Sequence, residues 1–174
     1  MLAKYGKFRN VSNYIVMAGK KGDDLDERIG YYGEQLVLSA QTQGLNTCWV
    51  GLSYSKVPGT YVLDKDETIG AYISIGYGES KGVAHKIKRL DQVSNADATT
   101  PEWFKDGVEA ALLAPTAINQ QKFYFEYIKA DGDTRAKVRA KRVFSLVGYT
   151  KMDLGIAKLH FEIGAGKENF TWAE

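Results

Sequence analysis

The sequence has almost none of the residues from which thiol and metal sites are built. Cys48 is the only cysteine in 174 residues, and His85 and His160 are the only histidines. One thiol excludes an internal disulfide, and two histidines without partners at ligand spacing leave metal catalysis unsupported. Long apolar runs are also missing: none approaches the roughly 20 residues that cross a bilayer. The opening "MLAKYGKFRN" lacks the apolar centre of a secretory signal. No membrane partner and a cytoplasmic location are therefore expected. Charge of one sign is scarce too, since the formal net charge is only +2. That balance argues against nucleic acid as a partner, which would need a concentrated basic face.

What is present suits an ordinary folded chain. Apolar residues make up 44% and charged residues 25%, near globular averages. The length predicts one domain, residues 1–174. "VSNYIVMA" (11–18) reads as a strand and "GKKGDD" as a turn. A helix follows from about Leu25 to Gln43, stopped by Gly44, with Ile29, Tyr32, Leu36 and Ala40 as its buried stripe. "NTCWVGL" (46–52) reads as a strand or extended segment, "YSKVPGTYVLDKDET" as a polar connection, and "IGAYISIGY" (69–77) as a strand. From Gly78 to Thr100 the chain has no periodicity, so it either wraps over something or moves. Thr100 is the expected cap of a second helix with Pro101 in its first turn, ending at Pro115. "KFYFEYIKA", turned by "DGD" into "TRAKVRAKRVFSLV", predicts a hairpin. A last helix is expected over 151–165, and "NFTW" as a short strand. "IGYYGEQLVLSA" and "LGIAKLHFEIGA" echo each other too thinly to set against chance.

Two stretches concentrate small and uncharged polar groups at the ends of helices. "APTAINQQKFYF" puts Asn119, Gln120 and Gln121 between a helix and an aromatic strand. By itself this is an ordinary polar loop. Carboxamides nevertheless offer donors and acceptors without charge, which suits a flat, neutral, polar-edged ligand. "GLNTCWVGL" sets Thr47 and Cys48 beside Trp49 at a helix-to-strand junction, where a planar ring could be packed.

"GYYGEQLVLSAQTQGLNTCWVGL" resembles the segment of FMN-dependent nitroreductases in which a long helix leads through a "GLGTCWVG"-like turn into a strand. "LLAPTAINQQKFYFEY" resembles their "APSxxNxQPWxF" motif, with Thr116 for serine, Asn119 and Gln121 retained, Lys122 for proline and Phe123 for tryptophan. The two motifs stand in the reverse of the usual order, as in the smaller "putative TM nitroreductase" subgroup, whose chain looks like two fused half-domains. The resemblance covers most of residues 10–172. It implies an α+β nitroreductase-like fold, a central, mostly antiparallel sheet packed by helices. It implies FMN as cofactor, NAD(P)H as co-substrate, and ping-pong hydride transfer through flavin N5 to a nitroaromatic, quinone or similar small-molecule electron acceptor. The cofactor then carries the chemistry and no catalytic side chain is expected.

By the same resemblance Asn119 and Gln121 would contact the ring or ribityl chain, Thr116 would hydrogen-bond nearby, and Gln120 would face solvent. Thr47, Cys48, Trp49, Val50 and Gly51 would pack against the isoalloxazine. Family members ordinarily begin with an "RRSxR" helix that binds the flavin phosphate. No such motif is present, so the chain is expected to be N-terminally short. Lys86, Lys88 and Arg89 in "AHKIKRL" become the phosphate candidates, although such a charge run is equally an ordinary solvated surface. A homodimer is expected. The rival reading is a family member that has lost flavin and acts as a non-catalytic binding or structural relic.

Other features carry less. "GYGESKG" follows a strand but precedes no apolar helix, so it is no dinucleotide fingerprint. Cys48 reads as a buried, inert thiol and His160 as a core residue. The alternating cations Arg135, Lys137, Arg139 and Lys141 read as a solvated strand face.

Overall fold

The computed structural model describes residues 11–51, 59–79, 81–130 and 135–173. Residues 1–10, residues 52–58 with the start of the polar connection, Ser80, residues 131–134 with the "DGD" turn, and Glu174 lie outside the described residues. The chain divides into two compact units, Met1–Val83 and Ala84–Glu174.

In the first unit, β1 (Asn13–Lys20), α1 (Leu25–Thr42), β2 (Asn46–Val50) and β3 (Glu67–Gly76) follow in order. Their sheet has the order β1-β3-β2, with both pairings antiparallel. The register of β1 slips between Met17 and Ala18. Central β3 buries Ala71, Tyr72, Ile73 and Ser74, as a strand flanked on both edges should. Helix α1 buries Leu25, Ile29, Gly30, Gly33, Glu34 and Ala40. Tyr32 and Leu36, expected in the stripe, are exposed. The reason is Gly33: a Cβ there would overlap the Trp49 ring, so the large indole occupies the face and turns Tyr32 and Leu36 to its rim. Gly44, at φ 75°, ends the helix in the left-handed region as anticipated.

In the second unit, α2 (Glu102–Leu112), β4 (Phe123–Ile128), β5 (Ala136–Arg142), α3 (Thr150–Ala165) and β6 (Phe170–Trp172) succeed one another. The sheet order is β4-β5-β6; β4 and β5 form the expected antiparallel pair, and β6 runs parallel to β5. Helix α2 starts one residue later than expected, with Pro101 as its cap. Thr100 cannot cap it, because its hydroxyl is turned back onto Asp97 Oδ1 at 3.0 Å. Strand β5 stops at Arg142, well short of the extended segment foreseen, and Phe144 and Leu146 beyond it are exposed.

An aromatic cluster fills this unit. Phe161 of α3 stacks on Phe125 of β4 with centroids 4.6 Å apart and meets Phe104 and Phe170 edge-on. Helices α2 and α3 approach closely because Gly107 leaves room: a Cβ there would lie 2.8 Å from Ala165 and 2.9 Å from Phe161. The aperiodic stretch wraps onto this unit. Phe125 N–H donates to Val93 O at 2.8 Å, and Asn95 pairs both backbone groups of Tyr127.

The faint internal echo has a local counterpart. Trp49 Nε1 donates to Glu34 of α1 at 3.0 Å, and Trp172 Nε1 donates to Glu162 of α3 at 2.8 Å. The strand orders of the two sheets nonetheless differ. The fold is α+β, three helices with two three-stranded sheets in the described residues. None of these helices is long and apolar enough to cross a membrane.

Candidate functional site

Residues 116–121 link α2 to β4 through a short 3-10 turn, Ala117–Asn119. Ile118, Asn119 and Gln121 have φ of 47°, 57° and 46°. Three residues with side chains in left-handed backbone, one of them β-branched, are costly. The fourth non-glycine residue of this kind among those described is Tyr149, at φ 58°, immediately before α3. Strain of this sort persists only where surrounding bonds over-determine it, and it gathers at functional sites.

Those bonds are explicit. Gln121 is 2% exposed. Its amide Nε2 donates to Lys86 O at 2.7 Å and to Asn119 Oδ1 at 2.6 Å, and its Oε1 accepts from Lys88 N–H at 2.9 Å. Asn119 Nδ2 also donates to Lys86 O, at 2.8 Å. Lys88 Nζ donates to the carbonyls of Gln120 and Gln121 at 3.0 and 2.7 Å. Buried Thr116 accepts the Gln121 N–H on its hydroxyl at 3.0 Å. The loop and the segment around Lys86–Lys88 are thus tied into one wall.

Gln120 departs from expectation. Instead of facing solvent it turns inward, donating Nε2 to Asp153 Oδ2 at 2.6 Å and to Gly148 O at 3.0 Å. Its Oε1 is buried without a partner among the described residues. Asp153 Oδ1 accepts the Ala117 N–H at 2.9 Å. Burial pushes the Asp153 carboxyl up to about 6, against the opposing pull of those two hydrogen bonds. The sequence reading missed Asp153; the available signal was an acid within the apolar run of α3.

The phosphate candidates separate. Arg89 is exposed and paired with Asp91, Nη2 to Oδ2 at 2.9 Å. Lys88 is half-buried, and burial together with the nearby charge of Lys122 holds its ammonium below the usual lysine range. Lys86 is exposed. Neither Lys86, Lys88 nor Lys122 has a carboxylate partner among the described residues. Thr116, Asn119, Gln121, Lys86 and Lys88 are therefore brought together, with Lys122 an addition that sequence reasoning passed over.

Thr47, Cys48, Trp49 and Val50 lie on β2, with Gly51 just after it, all in the first unit. Val50 is buried with Tyr72, and Tyr14, Val16, Tyr61 and Ile69 pack around them. Burial pushes the Cys48 thiol up, which makes it a poorer nucleophile. No helix opens directly after "GYGESKG" among the described residues; the next helical element is the three-residue 3-10 turn Leu90–Gln92. Arg139 and Lys141 converge on Glu126 at 3.2 and 2.7 Å, so half of the basic row is engaged by an acid. His85 Nε2 donates to Leu112 O at 3.0 Å, and no cluster that could hold a metal ion exists among the described residues.

Comparison with known proteins places these features in a family. The family model described as "Putative TM nitroreductase" matches residues 1–165. A crystal structure described as a putative nitroreductase from Thermotoga maritima is similar, with a TM-score of 0.63 and 25% identity, covering 93% of this chain and 67% of that one. No curated protein matches the chain.

Proposed function

The chain belongs to the "Putative TM nitroreductase" family, and we propose that within it the protein is an FMN-dependent oxidoreductase that uses NAD(P)H to reduce a small acceptor, a nitroaromatic or a quinone. One observation carries the reading: the Lys88 and Lys122 charges oppose each other at a rigid, strained loop, Lys86 stands on the segment tied to that loop, and none of the three has a carboxylate partner among the described residues. Crowded cations with one ammonium already depressed are relieved by an anion, and a phosphate ester is the anion that FMN presents.

The residues fit the phosphate end of FMN better than its ring edge. Among the described residues the Lys86 and Lys122 ammoniums are unengaged, and Lys88 Nζ retains one hydrogen after its two carbonyl bonds. Gln121 has spent both amide hydrogens, on Lys86 O and on Asn119 Oδ1, and Asn119 has spent one of its two on Lys86 O. Their role in this reading is to stiffen the wall rather than to read the ring, and Thr116 does the same from the buried side. Flavin, when bound, supplies the hydride chemistry. The chain supplies cationic contacts and a pre-ordered surface, so little conformational entropy is lost on binding.

A second reading has its own support. If the amides serve only the fold, the protein is a relic that binds no flavin. The visible spectrum of the purified protein, recorded with and without added FMN, separates the two. Retained or shifted flavin bands with quenched fluorescence are expected. Bands that stay those of free FMN under excess cofactor would sink the enzyme reading.

A further inference from the structure

We propose that Asp153 is the positioning residue of the candidate site: its carboxylate, held on α3, clamps the 116–121 loop in the left-handed conformation on which the flavin reading rests. The geometry is specific. One carboxylate oxygen takes the Ala117 N–H at the loop's entry, and the other takes Gln120 Nε2 near its exit. The same Gln120 amide reaches Gly148 O, and the Tyr149 carbonyl accepts the Asp153 N–H at 2.9 Å. All four left-handed non-glycine residues among those described thus belong to two segments joined through Asp153 and Gln120. A side chain that is 2% exposed and ends both of its oxygens on one loop does more than fill space. An apolar residue in its place would leave the Ala117 N–H and the Gln120 amide without their acceptor.

The clamp depends on charge. As a carboxylate, Asp153 accepts on both oxygens; once protonated, one oxygen becomes a donor facing the Gln120 amide hydrogens. The loop itself carries no ionisable side chain. The titratable groups on the elements joined to it include Lys122 directly after it, Tyr149 and Lys151 at the head of α3, Arg142 at the end of β5, Glu109 on α2, and His85, Lys86, Lys88 and Arg89 on the tied segment. None of them figures among the causes of the Asp153 shift, which are burial, the Ala117 N–H and the Gln120 amide. The two hydrogen bonds favour the carboxylate, so a loop that lets go while α3 keeps Asp153 buried leaves a group that binds the proton more tightly, and the clamp should release as pH falls through about 6.

Amide hydrogen exchange on the full chain tests this without flavin. Protection factors for residues 117–121 should fall about tenfold between pH 7.5 and pH 5, while β4 and β5 stay protected. Asp153→Asn should show the lower protection at both values and lose the step. Gln120→Ala removes a bond that favours the carboxylate, so it should move the step to higher pH. That shift is one which a merely space-filling Asp153 would not produce. Loop protection that is flat across this range in the wild type, or unchanged in Asp153→Asn, would overturn the proposal. A parallel FMN titration keeps the questions apart. Failure to bind FMN with the exchange step intact would refute the flavin reading and leave the clamp standing.

Discussion

Lys88 and Gln121 hold each other through two separate bonds. The Lys88 N–H donates to Gln121 Oε1 at 2.9 Å, and the Lys88 ammonium donates to the Gln121 carbonyl at 2.7 Å. A residue expected to meet a ligand's phosphate and one expected to meet its ring are thus partners first. The site's rigidity comes from the chain itself.

Removing that partnership should cost stability before it costs anything else. Gln121→Ala takes away two donations and one acceptance made by a buried side chain. The expected loss is about 2–3 kcal/mol, read as a lower midpoint in urea. A loss under about 0.5 kcal/mol would mean that the loop is held by its backbone alone.

The phosphate reading makes a prediction about ligand choice. Lys86→Ala should weaken FMN binding about tenfold while leaving riboflavin binding unchanged, since only the phosphate ester engages the ammonium. Paired fluorescence titrations with the two flavins give the comparison. Equal weakening of both would place Lys86 against the ring or in the fold.

Stability should depend on pH through Asp153. Its carboxyl stands at about 6 in the folded chain against an ordinary 3.8, so the folded form binds the proton more tightly. That contribution is fully present below about pH 3.8 and is lost as pH rises through about 6, a change of roughly 3 kcal/mol. Asp153→Asn cannot ionise. Its stability should therefore fall less than the wild type's between pH 4 and pH 8, measured as the double difference in urea unfolding. The ionised form that clamps the loop is the form that costs stability, as strained functional sites often require.

Packing supplies the last prediction. Phe161 is fully buried and touches Phe104, Phe125, Phe170 and Trp172. Phe161→Ala should destabilise the second unit by about 3–5 kcal/mol. Calorimetry should report this as a marked fall in Tm, with intrinsic tryptophan fluorescence following Trp172.

Much of the fold was legible because it rests on local signals. The helix ending at Gly44, the hairpin of alternating Phe123, Phe125 and Tyr127, and the helix up to Ala165 each carry their own periodicity or stop residue. Misreadings occurred where a distant residue changed the outcome. Trp49 took the α1 face from Tyr32 and Leu36, and Asp97 took the Thr100 hydroxyl from α2. Neither competitor lies within the helix it affects.

The site divides along the same line. The residues alone marked Asn119, Gln120 and Gln121 as a polar cluster between a helix and a strand, the family resemblance added Thr116, and one cysteine and two histidines left metal chemistry unsupported. Only the tertiary structure decided which of their polar atoms are already taken, that Gln120 points to Asp153, and that Arg89 is paired while Lys86 has no carboxylate partner among the described residues. The physical reason is that hydrogen bonds are short and directional. A sequence shows how many donors and acceptors a loop carries, but their partners lie some thirty residues away and are chosen by the packing of α3 and the 84–89 segment against the loop.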